Sequence, residues 1–272
     1  MIEFVGKIGS MALVDPHFGN IDYNKFASIG KQLKPGWVWV SSGAVEIGRI
    51  DFKQRNGSFA GEPSSEEKAD FASQGQAILM HMYRNFINPA FSIRQILVEH
   101  NHFNNEKKRE HIKGLLERAA EQSAIPIVNY NDAVSCEELR KFEIGKLTEK
   151  KLRAVELVDN DETASQVACL VNAKNLLILS TLEGIYEDLN NPDTLIREIS
   201  GRNFNEVAKK LDALKNSCYG ASRAGANGAL SKLEYIKPCI ERGTRVIIAS
   251  AKYRLSDILA GVVPSTVVGV RM

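Results

Sequence analysis

Short apolar runs alternate with amphipathic stretches along almost the whole chain, and no other feature restricts the fold as tightly. The runs at 2–8, 37–41, 93–98, 126–129, 176–180 and 245–249 are rich in Val, Ile and Leu and read as strands. Between them lie segments with helical spacing. In 66–87, Phe71, Gly75, Ile78, Leu79, Met82, Tyr83 and Phe86 recur on one face. The segment 106–122 does the same with Ile112, Leu115, Leu116 and Ala119, and 161–171 and 228–242 are also helical. Strand–helix–strand alternation predicts an α/β fold: a three-layer αβα sandwich around a mainly parallel open sheet.

The 272 residues, 44% of them hydrophobic, suffice for one such domain. A soft boundary near Ala173 divides it into lobes at 1–173 and 174–272. Three segments break the pattern. Residues 51–65 are polar and rich in Gly and Ser, and read as a surface loop. Residues 135–157 mix charged and apolar side chains and read as short strands or a hairpin at the lobe edge. Residues 217–227 are a small-residue stretch that opens a helix.

Charge and cysteine usage exclude several classes of function. A formal net charge of +2 gives no field for nucleic acid or a membrane surface. No apolar run reaches the length of a bilayer span. The opening MIEFVGKIGS has no basic leader before an apolar core, so the expected location is the cytoplasm. Cys136, Cys169, Cys218 and Cys239 are scattered without a CxxC pair, which suits a reducing compartment. His100 and His102 would share one face if extended, but no third ligand accompanies them. His17, His81 and His111 read as surface or half-buried positions.

The chemistry lies in five polar turns. In VGKIGS, Lys7 stands near a strand end before Gly9 and Ser10, where backbone can approach a phosphate and a lysine supplies charge. In VSSGAVEIGR a strand gives way to a helix through Ser42 and Gly43, and unpaired amides at such a helix start hold anions. In NYND, Asn131 and Asp132 end a buried run. In DND, Asp159, Asn160 and Asp161 precede a helix, where Asp and Asn also serve as plain caps. In GANGALSK, Gly225 and Gly228 flank a turn, with Ser231 and Lys232 at the start of the next helix. Ligands bind open parallel sheets at the carboxyl ends of strands, where these turns fall.

With these turns in order, the sequence resembles the amino acid kinase family. The Lys-x-Gly-[Ser/Thr] turn of that family appears as Lys7-Ile8-Gly9-Ser10, and its Ser-Gly-Ala motif as Ser41 to Gly48. Asn-Glu-Asn-Asp appears as Asn129-Tyr130-Asn131-Asp132, and Asp-Asn-Asp as Asp159 to Asp161. The strand ending in Thr-Asp-x-x-Gly-Leu-Tyr appears as Ser180 to Tyr186. The glycine-rich loop appears as Gly225 to Lys232.

The resemblance implies ATP-dependent phosphorylation of the γ-carboxylate of L-glutamate to glutamyl 5-phosphate, the first step of proline biosynthesis. It implies Mg²⁺, a homo-oligomer, and feedback by proline as a property to test. Ser42, Gly43, Asp132 and Asn160 would hold the acceptor. Lys7 and Lys232 would straddle the transferring phosphoryl group, and Asp161, or Asp159, would orient the lysines or help the metal. Gly9, Ser10, Ser180, Thr181, Ala226, Asn227, Gly228 and Ser231 would carry the nucleotide together with the two lysines. A glutamate carboxylate is already ionised at neutral pH, so the reaction needs positioning and charge neutralisation rather than a base.

The match departs from the family pattern at four places. Thr181 stands where the family carries Asp, with Glu183 nearby, and Tyr130 replaces a Glu. Ala226 and Asn227 replace Thr-Gly, and the segment before Asp159 is longer than the family's. Many members of the family also carry a C-terminal RNA-binding-like PUA domain, and none is expected here. Two alternatives follow: another small acid or phosphate as acceptor, with Arg49 the one obvious extra cation near the acceptor turn, or a non-catalytic ligand-binding regulator.

Overall fold

The computed structural model describes residues 2–57, 62–135, 137–149, 154–157, 159–188, 191–218 and 226–271. In chain order the elements begin β1 (Phe4–Ile8), α1 (Tyr23–Gly30), β2 (Trp37–Ser41), α2 (Ala44–Asn56), α3 (Ser65–Phe86), β3 (Ser92–Val98), α4 (His100–Asn104), α5 (Glu106–Glu121), β4 (Ala124–Tyr130) and α6 (Glu137–Glu149). They continue α7 (Asn160–Leu170), β5 (Asn175–Ser180), β6 (Ile185–Tyr186), β7 (Leu195–Ile196), β8 (Glu198–Gly201), α8 (Phe204–Cys218), α9 (Ala226–Glu241), β9 (Arg245–Ser250), α10 (Leu255–Leu259) and β10 (Ser265–Val270). The chain divides into two compact units, Met1–Ile8 with Asp161–Met272, and Gly9–Asn160.

In the Gly9–Asn160 unit, β3, β4 and β2 pair in that order and all in parallel. Every residue of β2 and β4 is buried. That is why both read as continuous apolar runs instead of alternating ones. β3 keeps Ser92 and Gln95 exposed. Helix α3 starts at a full capping box on Ser64 and Glu67, which satisfies two backbone donors at once. It packs along α2 through two glycines. A Cβ on Gly48 would fall on the Phe71 carbonyl, and one on Gly75 on the Ala44 carbonyl, so the two backbones approach as only glycine allows.

The other unit orders its strands β1, β5, β9, β10 and β8. The pairs β1/β5, β5/β9 and β10/β8 are parallel, and β10/β9 is antiparallel. The central strand β5 buries Leu176, Leu177, Ile178 and Leu179 almost completely. β6 and β7 form a separate antiparallel ribbon.

The α/β class and mainly parallel pairing match what the alternation implied, and all six expected strands form. Two local expectations do not hold. The stretch 51–65, expected as a surface loop, is helical as far as Asn56. There α2 sets Ile47 and Ile50 into the core and Phe52 against Phe71, with centroids 5.4 Å apart. The stretch 135–157, expected as short strands or a hairpin, contains α6. Its Leu139 and Phe142 are exposed, so no apolar stripe marked it as a helix. Helix α8 and the strands β8 and β10 were not anticipated. Within 217–227, residues 219–225 lie outside the described residues.

Candidate functional site

Lys7 is the fourth residue of β1, in register with Ile178 of β5. Asp161 is the second residue of α7, and Lys232 lies in the second turn of α9. These three residues, far apart in sequence, meet. Lys7 Nζ sits 2.6 Å from Asp161 Oδ1, and Lys232 Nζ sits 3.0 Å from Asp161 Oδ2. The side chains of Lys7 and Asp161 are 9% and 8% exposed, that of Lys232 22%. Burial opposes the ionised form of Asp161. The ammonium groups of Lys7 and Lys232 outweigh it and hold the carboxyl below its usual range. One carboxylate therefore spaces two ammonium groups, and the cluster carries one net positive charge. The start of α7 adds a helix N-terminus that favours the anion.

The same unit holds the residues expected to carry the nucleotide other than Gly9 and Ser10. Ser180 ends β5 and Thr181 follows it. Ser180 Oγ accepts from the Leu182 N–H at 3.0 Å, and the Thr181 carbonyl accepts from Ser250 Oγ at 3.4 Å. Glu183 is engaged locally: Lys252 Nζ and Tyr253 Oη both reach its Oε1 at 2.6 Å. The hydrogen bond to Lys252, with that to Tyr253, holds the Glu183 carboxyl below its usual range. Lys252, beyond the end of β9, was not singled out from sequence; the signal was a lysine two residues past a strand ending at Ser250. Ala226, Asn227, Gly228 and Ser231 fall in the first turns of α9, and their side chains lie outside the described residues, as does Gly225.

In the Gly9–Asn160 unit, Gly9 caps a 3₁₀ turn at Ser10–Leu13. The turn Ser42-Gly43-Ala44 joins β2 to α2. Gly43 has φ +116°, a left-handed value at which a side chain would be strained. Behind the turn, Tyr83 Oη takes the Trp39 Nε1–H at 2.8 Å and pairs with Ser41 Oγ at 2.8 Å. Burial pushes the Tyr83 hydroxyl well above its usual range, so it stays a neutral anchor. The ring of Phe26 meets Tyr83 edge-on, with centroids 5.1 Å apart. Sequence reasoning placed Tyr83 in a core stripe but not its hydroxyl under the turn.

A cavity of about 300 Å³ is lined by Ala44, Gln76, Tyr130, Asn131 and Asp132, among others. Burial raises the Asp132 carboxyl to about 6. Among the described residues, no Lys, Arg or His lines this cavity. It is therefore a small, partly open space whose acidic group has no cation beside it in the lining among the described residues. Asn160 spends its side chain on the frame: its Oδ1 accepts from the Tyr130 N–H at 3.1 Å and its Nδ2 donates to Asn129 Oδ1 at 2.9 Å. Asp159 is exposed, in contrast to Asp161.

His100 and His102 lie on α4, not on an extended strand. His100 Nε2 meets Glu143 Oε2 at 2.6 Å, and His102 Nδ1 accepts from the Glu99 N–H at 2.9 Å. Among the described residues, no three His, Cys, Asp or Glu side chains gather as a metal site. Nor, among them, is any helix long and apolar enough to cross a membrane.

The sequence model described as the amino acid kinase family matches residues 3–250. A glutamate 5-kinase of Geobacillus thermodenitrificans is 29% identical over 276 residues, 98% of this chain and 67% of that protein. One of Clostridium perfringens is 28% identical over 246 residues, 86% of this chain and 79% of that protein. Among solved structures, the carbamate kinase from Giardia lamblia bound to AMP-PNP is similar with a TM-score of 0.61 at 15% identity, covering 98% of both chains. The last likeness shows the fold.

Proposed function

The chain belongs to the amino acid kinase family, and we propose that it transfers the γ-phosphoryl group of ATP to the γ-carboxylate of L-glutamate. The observation that carries this reading is the pair of ammonium groups on the two oxygens of Asp161. A phosphoryl group in transfer spreads charge over three oxygens, and catalysis is mostly positioning and electrostatic stabilisation. Two lysines fixed by a buried carboxylate are preorganised for that task and need little rearrangement during the reaction.

In the reaction, a carboxylate oxygen of the acceptor bonds to the γ-phosphorus. The bond from that phosphorus to the β–γ bridging oxygen breaks, and ADP leaves with the electron pair. No proton moves, because the nucleophile is already ionised at neutral pH. This agrees with the absence of any histidine from the family motifs.

Acceptor recognition rests on the Asp132 cavity. A desolvated carboxylate without a cation suits the ammonium of an α-amino acid. The backbone amides after Gly43, at the start of α2, suit a carboxylate of the same ligand. A phosphorylated acceptor would need cations in that lining, and none is there among the described residues. Mg²⁺ would come with the phosphates of the nucleotide, which supply most of its ligands, so one or two protein oxygens suffice. Asp161, with an ion pair on each oxygen, and the exposed Asp159 are the two carboxylates at the start of α7 that would help hold the ion. The lobe of residues 1–173 would serve the acceptor and that of 174–272 the nucleotide.

The test is ATP turnover with hydroxylamine present to trap an acyl phosphate. Hydroxamate should form with L-glutamate and not with L-aspartate. Hydroxamate with neither, while ATP binds, would sink the transferase reading and leave a ligand-binding regulator.

A further inference from the structure

The hydrogen bonds around the Asp132 cavity form a chain with a fixed direction. It begins at a backbone group, the Tyr130 N–H, which can only donate. Asn160 Oδ1 accepts it at 3.1 Å. The amide of Asn160 is thereby oriented, and its Nδ2 donates to Asn129 Oδ1 at 2.9 Å. Asn129, 1% exposed, is oriented in turn, and its Nδ2 donates to Gln76 Oε1 at 2.9 Å. Amide orientation is decided by the surrounding network, and here each link determines the next. The last group is Gln76 Nε2. It is buried, it has no hydrogen-bond partner among the described residues, and Gln76 lines the cavity beside Asp132.

From this geometry we infer that Gln76 is a specificity residue for the acceptor: its Nε2 donates to a carboxylate of the bound amino acid. Asn129 and Asn160 are positioning residues that act through it. The inference rests on the acceptor reading of this cavity. A buried donor left unpaired carries a desolvation cost, and an anion entering the cavity removes it. With the acid of Asp132 and the amide of Gln76 in one lining, the cavity offers an acceptor for the ammonium and a donor for a carboxylate, a complementary pair for an α-amino acid. The position of Gln76 follows from Gly75, whose lack of a side chain lets α3 lie against the Ala44 carbonyl at the head of α2.

The test uses the whole protein and Gln76→Glu. The new carboxylate still accepts from Asn129, so the chain of amides survives, but it presents an anion where the donor was. Calorimetric titration with L-glutamate, L-glutamine and γ-aminobutyrate at pH 8 reads the effect. L-glutamine lacks the γ-carboxylate and γ-aminobutyrate lacks the α-carboxylate. The variant should bind L-glutamate about 10- to 100-fold more weakly, the worth of a hydrogen bond to a charged group. The penalty should shrink for whichever analogue lacks the contacted carboxylate. A purely structural role would penalise all three ligands alike. Equal penalties, no penalty, or no binding of L-glutamate to the wild type would each overturn the inference. Wild-type binding without hydroxamate would sink the transferase reading and leave this one standing.

Discussion

Replacing Asp161 by Asn separates the roles of charge and shape at the paired lysines. The amide keeps the volume of the carboxylate. Its oxygen still accepts from one lysine, but its NH₂ group turns a donor toward the other. Breaking a buried ion pair by removing one partner costs about 3–5 kcal/mol. The side chain of Lys232 is 22% exposed and partly screened, which favours the lower end. A loss of about 3 kcal/mol lowers the melting temperature by roughly 6–12 °C for a domain of this size class. Typical stabilities of about 5–15 kcal/mol leave the variant folded at room temperature. Turnover should fall much further. Losing one preorganised donor to a transition-state anion typically costs about 10²–10³ in kcat, and here two ammonium groups lose their spacer. The assay is the initial rate of hydroxamate formation at 25 °C, beside a thermal melt of the same sample. The acid side adds a sign check. The folded-state value of Asp161 is depressed, so its stabilisation is present above about pH 4 and disappears as pH falls through the lowered value. The melting difference between wild type and variant should therefore close below about pH 4. A variant with kcat within about threefold of wild type would refute the role given to Asp161.

Other perturbations follow from the same geometry. Asp132→Asn should raise stability at pH 8 by at most about 3 kcal/mol while weakening glutamate binding, since burial raises this carboxyl to about 6 against about 3.9 when unfolded. The penalty carried by the wild type is full above about pH 6 and gone below about pH 4, so melts at pH 4 should coincide. Equal melts at pH 8 would show that Asp132 is better solvated than its burial implies. Gly75→Ala should cost about 3 kcal/mol or more, because the new methyl meets the Ala44 backbone and α2 and α3 must part; an unchanged melting temperature would contradict the packing. Tyr83→Phe removes the partner of Trp39 and Ser41. It should cost about 1–3 kcal/mol by leaving a buried donor unpaired, read as a shifted urea midpoint at constant slope.

The sequence made β2 and β4 legible because they are buried on both faces. β2 and β4 have no polar alternation to confuse with a helix. It hid α6 for the opposite reason: Leu139 and Phe142 face solvent, and the helix presents no stripe. Lys7, Asp161 and Lys232 were visible as polar residues at strand ends and helix starts. Their convergence depends on how β1, α7 and α9 pack, which no local pattern encodes. Asp161 alone reads as a helix cap; only its burial between two lysines marks it as something else. The amide chain from Tyr130 to Gln76 was invisible from sequence, because its meaning lies in which end of each amide points where.

The most direct measurement is a crystal structure of the protein with ADP, Mg²⁺, L-glutamate and tetrafluoroaluminate, a mimic of the phosphoryl group in flight. Both Lys7 Nζ and Lys232 Nζ should lie about 2.8 Å from the fluoroaluminate, the length of a charge-assisted contact, with Asp161 still between them. A fluoroaluminate bound away from either lysine would contradict the account.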